Sequence, residues 1–133
     1  MSDTPIQLPD REPTLRVMAM PSDVNQNGDI FGGWVMSHVD MAGGIVAMRR
    51  ARGRAVTVAV NSFQFKQPVS IGDVVSLYAK IIKVGRTSIT IDVEVFAERN
   101  YFRPVTVKVT EATLTYVAID VGGNKRELPP EEA

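Results

Sequence analysis

Gly32-Gly33-Trp34-Val35-Met36-Ser37-His38-Val39-Asp40-Met41-Ala42-Gly43-Gly44-Ile45-Val46-Ala47-Met48-Arg49-Arg50 is the stretch that decides the fold. It is long enough for five helical turns, and its apolar residues fall on nearly every side of the helix. A helix of that kind is expected to be wrapped by other structure. The overlapping run Ile30 to Met48 approaches membrane-span length, but His38, Asp40 and four glycines argue against a lipid-facing helix. A buried central helix is the expectation.

Downstream, the pattern changes to strands. Val56, Val58 and Val60 alternate with smaller or polar residues, and the phase slips before Phe63 and Phe65, which predicts a bulge near Asn61-Ser62. Val75, Leu77, Ala79 and Ile81 form a second apolar face. After Gly85-Arg86-Thr87, the residues Ile89, Ile91, Val93, Val95 and Ala97 alternate with polar neighbours, as in a sheet with one dry and one wet face. Val105, Val107 and Val109 slip phase at Thr110-Glu111 before Ala112, Leu114, Tyr116 and Ala118, predicting another bulge. Upstream, Leu15 to Met20 suits a short strand, and a turn-rich loop from Ser22 to Asp29 leads into the helix. The fold class is α+β, with a curved antiparallel sheet wrapped around the long helix. Residues 14–120 form one unit. Residues 1–13 and 121–133 read as tails, the second because proline and like charge oppose packing.

Composition narrows the chemistry. The 133 residues suffice for one domain. Lysine plus arginine equals aspartate plus glutamate at 15 each, so no net field recruits nucleic acid or an anionic membrane. With no cysteine and one histidine, disulfides and thiolate sites are excluded, and a metal would have carboxylates alone. The first thirteen residues lack the basic start and apolar run of a secretion signal, so a cytoplasmic location is expected.

Asp40 is the leading catalytic candidate, because a carboxylate within an apolar helix is costly unless something satisfies or uses it. The plainer explanation is a structural bond, for example to Ser37 one turn earlier. Gly32 and Gly33 stand at the helix start, where first-turn N–H groups meet the positive end of the helix dipole and can hold an oxyanion. Gly43-Gly44 is better explained by close packing against the helix. Gly33 and Asp40 are seven residues apart, hence about 10 Å along the axis. One reacting carbon cannot touch both, so if both act, Gly33 of one chain faces Asp40 of another across a two-fold interface. His38 lies two residues from Asp40 and points elsewhere, which denies an Asp-His dyad and leaves it a packing residue. Ser37 has no base to activate it as a nucleophile. Asp23 and Asp29 read as loop or capping residues, with Asp29 near enough to the helix start to shape a pocket. Lys83, Arg86 and Arg103 lie at strand ends, where cations can meet substrate phosphates. Asn25, Asp29, Phe31, Phe65, Thr87 and Ser88 complete the set of substrate-binding candidates.

The run Gly28-Asp29-Ile30-Phe31-Gly32-Gly33-Trp34-Val35-Met36-Ser37, followed by Val39-Asp40-Met41-Ala42-Gly43-Gly44, resembles the signature of bacterial acyl-CoA thioesterases of the YciA type within the hotdog superfamily. The likeness extends from Leu15 to Pro21, through Gly72-Asp73-Val74-Val75, to Thr110-Glu111-Ala112 and Tyr116 to Asp120. It implies the hotdog fold and hydrolysis of acyl-CoA to a free acid and coenzyme A. The family's aspartate falls on Asp40, and its helix-start glycines fall on Gly32 and Gly33. It further implies no metal or redox cofactor, coenzyme A being part of substrate and product, and a homo-oligomer, at least a dimer and commonly a trimer of dimers. Many relatives have histidine where this chain has Phe31, and some have asparagine where it has Asp29. The backbone role of the glycines does not depend on those side chains. Two other functions suit the same fold: a non-catalytic acyl-CoA sensor, and an acyl-CoA hydratase or dehydratase, which would need the Asp-His pairing.

Overall fold

The structure, a computed structural model, describes residues 5–131. Five strands and one long helix follow in the order β1 (Leu15–Met18), α1 (Gly32–Ala51), β2 (Ala55–Phe65), β3 (Val74–Val84), β4 (Ser88–Arg99) and β5 (Val105–Ala118), with a 3-10 turn at Pro21–Asp23. The strands form one antiparallel sheet in the order β1-β3-β4-β5-β2. Helix α1 lies across it. Alternation in β4 works as the sequence predicts: Ile89, Ile91, Val93, Val95 and Ala97 are fully buried. They meet the helix stripe Val35, Val39, Ala42, Ala47 and Ala51, together with Val75, Leu77, Leu114 and Tyr116. Each such Val, Leu or Ile side chain contributes roughly 1.5–3 kcal/mol of burial.

The bulges bend the long strands. The β2–β5 register shifts between Val60 and Ser62, at the predicted place, and again between Thr57 and Ala59. In β5 the extra residue is Val109, since Val95 pairs with Thr110 and Phe96 with Lys108, one position before the predicted slip. A further shift between Ile81 and Lys83 leaves Ile82 half-exposed near the end of β3. It interrupts no sequence alternation, because Ile81 and Ile82 are both apolar.

Two expectations need correction. The helix is not wrapped on all sides within one chain: Met36, Met41 and Met48, on the side away from the buried stripe, are 44–48% exposed. Residues 121–129, expected to belong to a C-terminal tail, instead fold back over the helix end. Arg126 donates through Nη2 to the Ala51 carbonyl at 2.8 Å and through Nε to Ile119 O at 2.9 Å, and Arg50 donates to Pro129 O at 2.7 Å. Leu128 packs on the core. A guanidinium placed on the orphan carbonyls of a helix C-terminus satisfies both a hydrogen bond and the dipole. Among the described residues no helix is long and apolar enough to cross a membrane.

Candidate active site

The start of α1 is held by backbone alone. Phe31 occupies the N-cap with non-helical φ and ψ of −55° and 136° and no side-chain cap. Its N–H donates to Asp23 O at 3.0 Å, and its carbonyl accepts from Trp34 N at 3.0 Å. Gly32 and Gly33 thereby become the first two helical residues, whose N–H groups have no intrahelical carbonyl to reach. A Cβ on Gly33 would meet nothing within 4 Å, whereas one on Gly32 would lie 3.3 Å from the Phe65 ring. The Phe65 ring in turn meets that of Phe63 at 4.8 Å between centroids, tilted by 48°. Phe65 thus lies at the helix start.

Asp40 lies two turns further along, exposed in the single chain. Its structural partner is not Ser37. Thr57 Oγ1 on β2 donates to Asp40 Oδ1 at 2.5 Å, and Tyr116 Oη on β5 is 3.0 Å from the same oxygen and 2.9 Å from the Asp40 carbonyl. Burial, then the Asp40 charge, push the Tyr116 phenol well above its ordinary value, so it remains a donor. Asp40 borders two cavities. One, of about 290 Å³, is lined by Gly33, Met36, Ser37, Thr57, Val60, Phe63 and Leu114. The other, of about 430 Å³, is lined by Leu15, Met41, Gly44, Ile45, Met48, Ala55, Thr57 and Tyr116. Helix-start amide and carboxylate therefore share one apolar-walled groove between α1 and β2.

His38 turns away: Nδ1 bonds the Trp34 carbonyl at 2.7 Å and so carries the proton, and the two rings lie 4.2 Å apart. No Asp-His dyad exists here. Asn25 organises the loop before the helix, its Oδ1 accepting from the amides of Asn27 and Asp29 and its N–H donating to Asp29 O. Asp29 caps no helix. Asp23 does cap the 3-10 turn, its Oδ2 accepting from Met20 N at 3.1 Å. Phe31 is half-exposed beside the glycines.

The candidate phosphate contacts do not converge in one chain. Lys83, Arg86, Thr87 and Ser88 surround the β3–β4 turn, where Thr87 O accepts from Ala118 N and Arg86 pairs with Glu127 at 3.5 Å. Arg103 is exposed in the β4–β5 turn. The twelve residues of β4 separate the two turns by roughly 40 Å. Thr57 and Tyr116 are the residues that reasoning from sequence missed as site members. A threonine in a bulged strand and a tyrosine in an alternating one carry no local signal, and only the sheet register brings both to Asp40. Among the described residues, no three His, Cys, Asp or Glu side chains are grouped to hold a metal.

The thioesterase superfamily model matches residues 27–102, a span that includes Gly32, Gly33, Asp40, Thr57 and Phe65. The chain belongs to the thioesterase superfamily. Among its relatives in that superfamily, the acyl-CoA thioester hydrolase YciA of Salmonella typhimurium is 49% identical over 91% of this chain and 92% of its own. HI0827, a hexameric broad specificity acyl-coenzyme A thioesterase crystallised as an aspartate-to-alanine mutant, is 50% identical with a TM-score of 0.86, covering 90% of this chain and 87% of its own. Cj0915 of Campylobacter jejuni, a hexameric hotdog fold thioesterase, is 43% identical with a TM-score of 0.86, covering 90% of this chain and 91% of its own. The fold of this superfamily member is the hotdog fold, and the protein is a thioester hydrolase.

Proposed function

We propose that the protein hydrolyses acyl-CoA to a free acid and coenzyme A, with Asp40 as the catalytic carboxylate and the Gly32 and Gly33 amides as oxyanion donors. The observation that carries this reading is the position of Asp40. Its carboxylate is held by two hydroxyls on the open side of α1, in the same groove as the uncapped amide of Gly33. Amides at a helix start favour the negative charge that develops on the thioester oxygen, and a carboxylate about 10 Å further along serves a second, symmetry-related carbonyl. The site is therefore read as composite, with Gly33 of one copy facing Asp40 of another. The hexameric relatives support an oligomer, and the half-exposed Met36, Met41, Val58 and Val60 supply apolar surface for a second copy to cover. A dimer, assembled further as a trimer of dimers, accounts for both.

Two routes use this geometry. Asp40 removes a proton from water as the water adds to the carbonyl carbon and the C–S bond breaks, releasing coenzyme A. Alternatively an Asp40 oxygen bonds the carbonyl carbon, expels coenzyme A as thiolate, and water cleaves the resulting mixed anhydride. Single turnover in labelled water separates them when water attacks the anhydride at Asp40 Cγ, which leaves solvent oxygen in Asp40, something the first route never does. Lys83, Arg86, Thr87, Ser88 and Arg103 are proposed for the nucleotide end of the substrate, and Asn25, Asp29, Phe31 and Phe65 for the groove beside the helix start.

Thiol release from a panel of short, long and aromatic acyl-CoAs tests the reading. The wild-type protein is expected to turn over, and Asp40→Asn at matched oligomeric state to lose about 10²–10⁴-fold in kcat. Equal rates in the two proteins would remove Asp40 from the mechanism, and tight binding without turnover in either would replace the enzyme by a sensor.

A further inference from the structure

Tyr116 is almost fully buried on β5, paired across the sheet with Thr57 on β2 and Ile89 on β4, yet its hydroxyl emerges against the helix at Asp40. We propose that Tyr116 is a positioning residue that turns Asp40 Oδ1 into the protein and presents Oδ2 to the thioester, and that Gly43 is the opening in the helix that admits it. This rests on Asp40 being the catalytic carboxylate.

Three observations carry the inference. Oδ1 receives both Thr57 Oγ1 at 2.5 Å and Tyr116 Oη at 3.0 Å, whereas among the described residues Oδ2 takes no hydrogen bond. A carboxylate gripped by two donors at one oxygen has its plane fixed and its other oxygen available. The phenol's single proton is shared, as a three-centre bond, with the Asp40 carbonyl at 2.9 Å, so the same hydroxyl locates the backbone and side chain of one residue. Finally, a Cβ at position 43 would lie 2.3 Å from Tyr116 Oη and 2.9 Å from Cζ. Those atoms belong to a rigid, buried ring, and any side chain at 43 would displace the hydroxyl by roughly 1 Å to restore ordinary contact. Glycine in the middle of a helix costs about 1 kcal/mol relative to alanine, so its presence here calls for such a reason.

Tyr116 donates and transfers no proton, since its phenol is pushed away from the range in which it would ionise. Among the residues lining the two cavities that Asp40 borders, it is the one other titratable group.

Tyr116→Phe keeps the ring and removes the donor. Its kcat on acyl-CoA is expected to fall about tenfold with KM within about twofold of wild type, because a lost donor leaves the carboxylate plane free to turn. Gly43→Ala should reproduce this loss by displacing the same hydroxyl, and a Tyr116→Phe, Gly43→Ala double variant should be no slower than either single one. The carboxyl ¹³C resonance of Asp40, assigned by its absence in Asp40→Asn, should change its chemical shift at fixed pH in Tyr116→Phe, whether or not the protein turns over. An unchanged kcat and carboxyl resonance in a Tyr116→Phe oligomer of wild-type size would overturn the positioning role. A shifted resonance with no turnover by wild type would retain the contact and refute the thioesterase.

Discussion

Asp40 is held by hydroxyls from two different strands, and the weaker-looking partner in sequence, Thr57, makes the shorter bond at 2.5 Å. A charge-assisted hydrogen bond of about 1.5–3 kcal/mol corresponds to roughly ten- to hundredfold in rate if it is realised fully in the transition state. Thr57→Val, which keeps the shape and removes the donor, is expected to lower kcat within that range, and Thr57→Ser to recover most of it in the same thiol-release assay. At this scale the sequence was partly legible. A carboxylate in an apolar helix and two glycines at its start are anomalies visible in one dimension. Thr57 and Tyr116 are not, because a polar residue on an alternating strand is ordinary until register and bulges decide what it faces.

The elements were more legible than the residues that join them. The helix begins at Gly32 as expected, and β4 alternates as written, because both patterns arise from burial on a fixed period. The segments beyond a period were harder. The C-terminal segment packs because Arg126 reaches the end of α1 and Leu128 reaches the core, contacts that composition hides behind prolines and acids. The same applies to Asp73, which is 1% exposed, accepts from Ser70 N at 2.9 Å, and is bonded by Arg99 Nη2 at 2.8 Å. This pair fastens the turn before β3 to the end of β4. Removing Arg99 leaves a buried carboxylate with its amide donor alone, so Arg99→Ala is expected to destabilise the fold by about 3 kcal/mol. Urea denaturation at fixed protein concentration measures it. A loss below about 0.5 kcal/mol would show that the pair contributes no more than a surface one.

At the scale of the molecule, one chain looks unfinished. Three methionines stand out from the helix, Val56, Val58 and Val60 are 40–54% exposed on β2, and the candidate phosphate contacts sit at opposite ends of the sheet. The expectation of a fully wrapped helix failed for one chain because apolar pattern records burial without saying which copy provides it. That failure supports an interface on the same side as Asp40. The most direct test mixes two inactive proteins. Asp40→Asn removes the carboxylate, and Gly33→Pro removes a helix-start N–H at a first-turn position that tolerates proline and where a Cβ meets nothing. Thiol release is measured before and after dissociation and random reassembly of an equal mixture. If each site combines Gly33 of one copy with Asp40 of another, half of the dimers hold one intact site, and about a quarter of wild-type activity returns. If no activity returns from a reassembled mixture, the two residues do not complete one site across copies, and the composite thioesterase site is wrong.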